Sequence, residues 1–133
     1  MNLSDLERIV SGGESDIVEL KKSTAQLRRA AQTLCGMLNG HGGKVLIGVT
    51  PGSRIIGQEI SDKTLRDVAE VLGKLEPTAT VSQTRLDVGE GREVLILEAL
   101  PNPELRPYVF DGRPINVWAR RLRSWPRRLT RGC

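Results

Sequence analysis

Apolar residues recur along this chain with two different spacings, and the spacing predicts which segments form helices and which form strands. Intervals of three and four residues predict helices over residues 4–10, from residues 23–24 to residue 38, and from residue 61 to an exit at Pro77. Alternating or continuous apolar runs predict strands at residues 17–21, 45–49, 55–57, 80–88, 93–100 and 108–110. This order of elements predicts an α+β fold, in which two main helices pack on a mixed β-sheet within a single domain.

Local signals refine the ends of these elements. Ser4 or Asp5 can cap the first helix, and Glu7 stands in the capping-box position. Gly40 is the expected left-handed end of the second helix. The run at residues 45–49 is apolar without interruption, which is typical of a central strand covered on both faces.

Charge divides the chain into two parts. The 133 residues include 20 Lys and Arg against 16 Asp and Glu, a formal net charge of +4. Residues 115–133 contain six arginines and no acid, so residues 1–114 carry a net charge of −2. We therefore expect a mildly acidic domain over residues 1–114 and a basic tail over residues 115–133. The basicity that suggests a nucleic-acid partner belongs mostly to the tail.

Composition also excludes several classes of protein. Two cysteines, Cys35 and Cys133, and one histidine, His41, cannot form a zinc tetrad within one chain, and we expect no disulfide. No apolar run approaches the ~20 residues that span a bilayer. The first residues carry acids where a secretory signal needs a basic head. We expect a cytoplasmic protein with no membrane contact.

Four segments follow one another in a characteristic order: GESDIVELK at residues 13–21, LNGHGGKVLIGV at 38–49, IIG at 55–57 and RPYVFDGR at 106–113. They resemble the E-S-x-x-x-E-F-K opening, the F-A-N-t-x-G-G-x-L-x-I-G-V-D centre, the i-v-G that follows, and the P-y-x-x-x-G-r ending of the Schlafen Alba-2 (divergent AAA) domain family. The resemblance covers about residues 10–114. It implies an α+β fold and a role in nucleic-acid binding.

The resemblance also implies a catalytic site. Animal Schlafen proteins use this domain as an endoribonuclease on transfer and ribosomal RNA, with three carboxylates. Glu14 and Glu19 match the two glutamates and Lys21 the adjacent lysine, but Thr50 stands where the family has an aspartate. Carboxylates of this kind would hold Mg²⁺ or Mn²⁺, which activates water or stabilises the leaving oxygen. Two glutamates and a hydroxyl hold such an ion less tightly than three carboxylates.

Two functions therefore stay open. The glutamate pair favours a weak metal-dependent endoribonuclease with Glu14, Glu19 and Lys21 as catalytic residues. Thr50 favours a catalytically inactive module of the DNA-binding, transcription-regulator type. Without the resemblance, the two glutamates would be interpreted as solvated surface acids.

Nucleic acid is the expected partner, RNA in preference to DNA. The candidate contacts are Lys21, Lys22, His41, Arg113, Arg120 and Arg121. The glycine-rich loop at residues 39–43 lacks the Gly-Lys-Ser/Thr ending of a P-loop and follows a helix, so we expect a helix stop and no ATP. Lysines at residues 21–22 are also typical of a strand edge that deters aggregation.

The family pattern breaks after Arg113, where a last strand is expected. Reading the codons one base earlier forces a glycine at residues 118–119 and permits the family's sequence around it. We interpret residues 115–133 as the product of a one-base deletion. Trp118 and Trp125 fall on one helical face, so the tail or an exposed sheet edge is where we expect a homodimer to form.

Overall fold

Three α-helices and seven β-strands form within residues 1–114, the residues that the computed structural model describes. Their bounds are α1 (Leu3–Ser11), β1 (Val18–Lys21), α2 (Leu27–Leu38), β2 (Gly43–Ile47), α3 (Asp62–Leu72), β3 (Leu75–Glu76), β4 (Thr80–Gly89), β5 (Arg92–Leu100), β6 (Val109–Phe110) and β7 (Arg113–Pro114). None of these helices has the length and apolar character needed to cross a membrane.

The strands form two sheets. The larger has the order β1-β2-β5-β4, in which β1 and β2 run parallel and the other neighbours run antiparallel. The smaller, antiparallel sheet has the order β3-β6-β7. The predicted α+β fold with a mixed sheet is confirmed, and the hairpin of β4 and β5 lies where the alternation placed it.

Strand β2 lies inside the large sheet and contributes to a hydrophobic core on each face. Val45 and Ile47 belong to the core that α2 and α3 cover, and Leu46 belongs to the core that α1 covers. Because successive residues of a strand point to opposite faces, both sets must be apolar. The uninterrupted apolar run therefore follows from the position of β2.

The starts of the first two helices differ from the prediction. Asn2 caps α1: its side chain accepts a hydrogen bond from the Asp5 N–H at 2.9 Å, and the Asp5 carboxylate accepts one from the Asn2 N–H at 3.1 Å. The predicted cap at Ser4 or Asp5 is wrong, because the helix already begins at Leu3 and the Asn2 side chain accepts the hydrogen bond from its first turn. Ser23 caps a 3-10 turn at Thr24–Gln26, and α2 begins only after it.

The connection from α2 to β2 uses different glycines from the one predicted. Gly40 has no positive φ, whereas Gly42 and Gly43 have φ of 82° and 152°. The Gly42 N–H donates to the Met37 carbonyl at 2.8 Å. A Cβ on Gly43 would lie 2.7 Å from the Ile17 carbonyl oxygen, so a side chain there would collide with the backbone before β1. The loop is a close backbone crossing.

Candidate nucleic-acid interface

Glu14 lies beside the outer edge of β1, and its carboxylate is hydrogen-bonded to the backbone of that strand. One of its oxygens, Oε2, accepts a hydrogen bond from the Leu20 N–H at 3.1 Å. The neighbouring Ser15 N–H donates to the Val18 carbonyl at 2.9 Å. Residues 13–16 thus form a turn that folds back over the strand edge. Glu14 satisfies a backbone donor that an edge strand otherwise exposes.

Glu19 and Lys21 project from the face of β1 that also carries Val45 and Ile47 on β2, because their registers coincide. Their side chains are only 13% and 15% exposed, and the Lys21 Nζ lies 3.7 Å from the Glu19 Oε2. The ion pair neutralises two charges that would be costly to bury separately. The two predicted catalytic side chains on β1 are therefore in contact.

Thr50 follows the shared end of β1 and β2. The N–H groups of Gly48 and Val49 both donate to the Lys21 carbonyl, which holds this segment against the end of β1. The Thr50 hydroxyl accepts a hydrogen bond from the Arg54 N–H at 3.1 Å. Within residues 1–114, no group of three His, Cys, Asp or Glu side chains is arranged to hold a metal ion. Oxygen ligands are the kind that Mg²⁺ and Mn²⁺ prefer, so a site made of Glu14, Glu19 and the Thr50 hydroxyl stays a prediction.

The predicted phosphate contacts lie at different places. Lys22 is exposed immediately after β1. His41 is exposed in the α2–β2 loop, and Gly43, the residue that begins β2 after this loop, lies against Ile17, at the opposite end of β1. The structure does not bring His41 together with Lys22.

Arg113 belongs to a basic cluster that surrounds a single carboxylate. We call it the Asp111 cluster: Arg28, Lys74, Asp111 and Arg113. The Arg28 Nη2 lies 2.8 Å from the Asp111 Oδ2. This hydrogen bond, together with the charges of Arg28, Lys74 and Arg113, holds the pKa of Asp111 below its ordinary value of 3.8. Three cations and one anion leave this surface with a net positive charge.

A backbone hydrogen bond and a side-chain contact bring the Asp111 cluster together from three distant parts of the chain. Asp111 adopts a left-handed conformation, φ 52°, in the turn between β6 and β7, and its N–H donates to the Lys74 carbonyl at 2.9 Å. The Arg28 guanidinium lies 5.0 Å from the centre of the Phe110 ring, a cation–π contact. Arg28 and Lys74 are not among the predicted contacts, because nothing in the local sequence indicates that either lies beside residue 111.

The remaining candidates, Arg120 and Arg121, lie outside the described residues. The same holds for the proposed tail helix and for any contact that residues 115–133 make.

Other solved structures share this fold, among them the following two. The first is the solution structure of the N-terminal domain of a protein from Nitrosomonas europaea related to the ATP-dependent DNA helicase RecG, with a TM-score of 0.64 and 19% identity over 86% of this chain and 84% of that one. The second is the DIP2311 protein from Corynebacterium diphtheriae, with a TM-score of 0.54 and 16% identity; the match covers 85% of this chain and 27% of that protein. At these identities the likeness shows the fold.

No curated protein matches this chain. The family model described as Schlafen, AlbA_2 matches residues 14–124. It begins at Glu14 and extends past Arg113, where the four motifs end. Since this match covers most of the chain and the fold agrees with it, the chain belongs to the Schlafen AlbA_2 family.

Proposed function

We propose that this domain binds nucleic acid, RNA in preference to DNA, and that the Asp111 cluster contributes phosphate contacts. The observation that supports this proposal is the local excess of cations: Arg28, Lys74 and Arg113 surround one carboxylate in a domain whose net charge is −2. Membership of the Schlafen AlbA_2 family supports the same function.

The geometry of Arg28 suits a phosphate. Its guanidinium is held by Asp111 and by the face of Phe110, so it loses little conformational freedom when it binds an oxyanion. A guanidinium can donate two parallel hydrogen bonds to a phosphate. Arg113 is exposed on β7 and forms no ion pair with another of the residues 1–114. Phosphate contacts of this kind set affinity and register but carry no base sequence.

Arg113→Ala tests the proposal. Fluorescence anisotropy with a structured RNA hairpin, and with a DNA duplex of matching sequence, should show about 3–10-fold weaker binding and a salt slope smaller by about 0.7–0.9. Asp111→Asn should strengthen binding, because it removes the only carboxylate of the cluster. Arg8→Ala is the matched control: Arg8 lies on α1, across the sheet, with a side chain 75% exposed. Equal effects of Arg113→Ala and Arg8→Ala would contradict the proposal. Tighter binding of the duplex would contradict the preference for RNA.

As a second function, we propose weak cleavage of structured RNA that depends on Mg²⁺ or Mn²⁺. It is favoured by the position of both glutamates at β1, Glu14 beside its outer edge and Glu19 on one of its faces, with Thr50 beyond its end. Glu14 and Glu19 would hold the ion, which supplies a Lewis acid for the phosphodiester. Lys21 would leave its ion pair with Glu19 and orient a phosphate oxygen of the substrate.

Thr50→Asp distinguishes this activity from the catalytically inactive module that Thr50 favours. Restoring the third carboxylate should raise Mn²⁺-dependent cleavage of a structured RNA well above that of the unmodified chain. Thr50→Asn, which has the same size without the charge, should not. If neither the unmodified chain nor Thr50→Asp cleaves RNA, the nuclease proposal is wrong, and the domain acts by binding alone.

A further inference from the structure

The two edges of the large sheet differ in how well their backbone groups are covered. The outer edge of β1 is covered by the turn at residues 13–16, through the Ser15–Val18 bridge and the Glu14 carboxylate. The outer edge of β4 has no such cover: within residues 1–114, β4 pairs only with β5, and no other backbone hydrogen bond reaches it. β4 is ten residues long and contains neither proline nor lysine, the residues that commonly protect an edge. It is therefore open to strand addition.

The hydrogen-bonding pattern shows which residues of β4 face outward. Glu93 on β5 exchanges two backbone hydrogen bonds with Gln58, both 2.8 Å, on the side away from β4. Its pairing with Asp87 on β4 is therefore the non-hydrogen-bonded kind, and such pairs alternate along an antiparallel ladder. It follows that the N–H and C=O groups of Arg85 and Asp87 point to the open edge.

Charge on this edge is unbalanced within residues 1–114. Asp87 stands directly opposite Glu93, and like charges in this position destabilise a sheet. Arg85 is already bound to Glu93, with its Nη2 at 2.7 Å and its Nε at 3.1 Å from the two carboxylate oxygens. None of the ion pairs of residues 1–114 includes Asp87, whose Oδ1 accepts a hydrogen bond from the Gly89 N–H at 2.7 Å. A cation brought from outside beside Asp87 would balance its charge.

We propose that two copies of this chain pair through β4, antiparallel, about a two-fold axis at Leu86. Arg85 of each copy then stands opposite Asp87 of the other, and about four backbone hydrogen bonds form between the outward groups of these residues. The two Leu86 side chains meet on the face that α1 covers. The charges select this register: an axis at Arg85 places two arginines opposite each other, and an axis at Thr84 places Arg85 opposite Gln83. The second copy supplies the cation that Asp87 lacks among the residues that the structure describes.

Charge reversal on the full chain tests this pairing, with mass measured by light scattering after gel filtration. The unmodified chain should be a dimer. Arg85→Asp and Asp87→Arg each create two like-charge pairs, so each should raise the dissociation constant roughly 100-fold or more. Mixing the two variants should restore a dimer, because every pair across the axis is then Arg with Asp. Arg66→Asp, an equal charge change on the exposed face of α3, should leave the dimer intact.

The mixture keeps the test independent of folding. If a single variant were monomeric only because it is damaged, mixing would not rescue it. A monomeric unmodified chain would overturn the proposal, and protection of the β4 amides from hydrogen exchange in that monomer would assign the edge to residues 115–133. Dimers that persist in both single variants would overturn it as well, and would assign association to another surface.

Discussion

At the scale of single residues, Glu14 has a role that its motif does not reveal. The motif predicts a catalytic carboxylate, whereas the structure gives that carboxylate a backbone partner at Leu20. A loss of activity on removing Glu14 would therefore combine two effects, because the turn over β1 depends on the same side chain. Stability measurements separate them.

We expect Glu14→Ala to lower the free energy of unfolding by about 1–2 kcal/mol, since a backbone donor at the strand edge loses its acceptor. Glu14→Gln keeps an acceptor oxygen and should stay close to the unmodified protein. Urea denaturation measures both changes. Glu7→Ala on the exposed side of α1 serves as the control. Equal stability of Glu14→Ala and Glu14→Gln would show that the hydrogen bond contributes nothing.

Asp111 gives the protein a pH dependence of known sign. Because Arg28 lowers the pKa of Asp111 in the folded state, the ion pair stabilises the fold at every pH above the ordinary value of 3.8. Its contribution is lost as the pH falls through the lowered pKa. The stability difference between the unmodified chain and Asp111→Asn should be constant from pH 7 to about pH 5 and should shrink in more acidic solution. Asn also tolerates the left-handed turn, so the comparison isolates the charge. A difference that grows on acidification would contradict this assignment.

At the scale of elements, the sequence predicts those parts whose signal is periodic. The apolar run of β2, the stripe of α2 and the hairpin of β4 and β5 all appear where expected, because each buries a regularly spaced set of side chains. The sheet of β3, β6 and β7 was only partly predicted, since two-residue strands have no period. The Asn39 side chain exchanges hydrogen bonds with the Tyr108 backbone across 69 residues, and such contacts leave no local trace. The Asp111 cluster depends on this same non-local packing.

The crossing from α2 to β2 should depend on Gly43. Gly43→Ala places a methyl group 2.7 Å from the Ile17 carbonyl oxygen and 2.8 Å from the Met37 sulfur, so we expect a loss of about 3 kcal/mol or more in the free energy of unfolding. Gly91→Ala is the matched control, because Gly91 also has a positive φ, 72°, but has open space around it. Gly91→Ala should lower the free energy of unfolding by about 1 kcal/mol, because it adds backbone strain without a collision. Similar losses in the two variants would show that crowding at Gly43 is unimportant.

At the scale of the whole molecule, charge is divided between a domain of net −2 and a tail with six arginines. Removing residues 115–133 should eliminate most of the salt dependence of nucleic-acid binding, a decrease of up to about 4–5 in the slope of log affinity against log salt. The weaker binding that stays should still respond to Arg113→Ala. Titrations at several salt concentrations measure both. A slope unchanged by the deletion would place the whole binding surface on residues 1–114.

The closed edge at β1 has a consequence for how far assembly can proceed. A sheet with two open edges can add copies at both ends without limit and grows into a filament. Here Glu14 and its turn cover one edge of the large sheet, so within residues 1–114 this sheet has a single open edge, at β4. A molecule with one open sheet edge can pair with a second copy but cannot polymerise through that sheet. The Glu14 turn thereby limits assembly to pairs, and its loss would convert a pairing molecule into one that can aggregate.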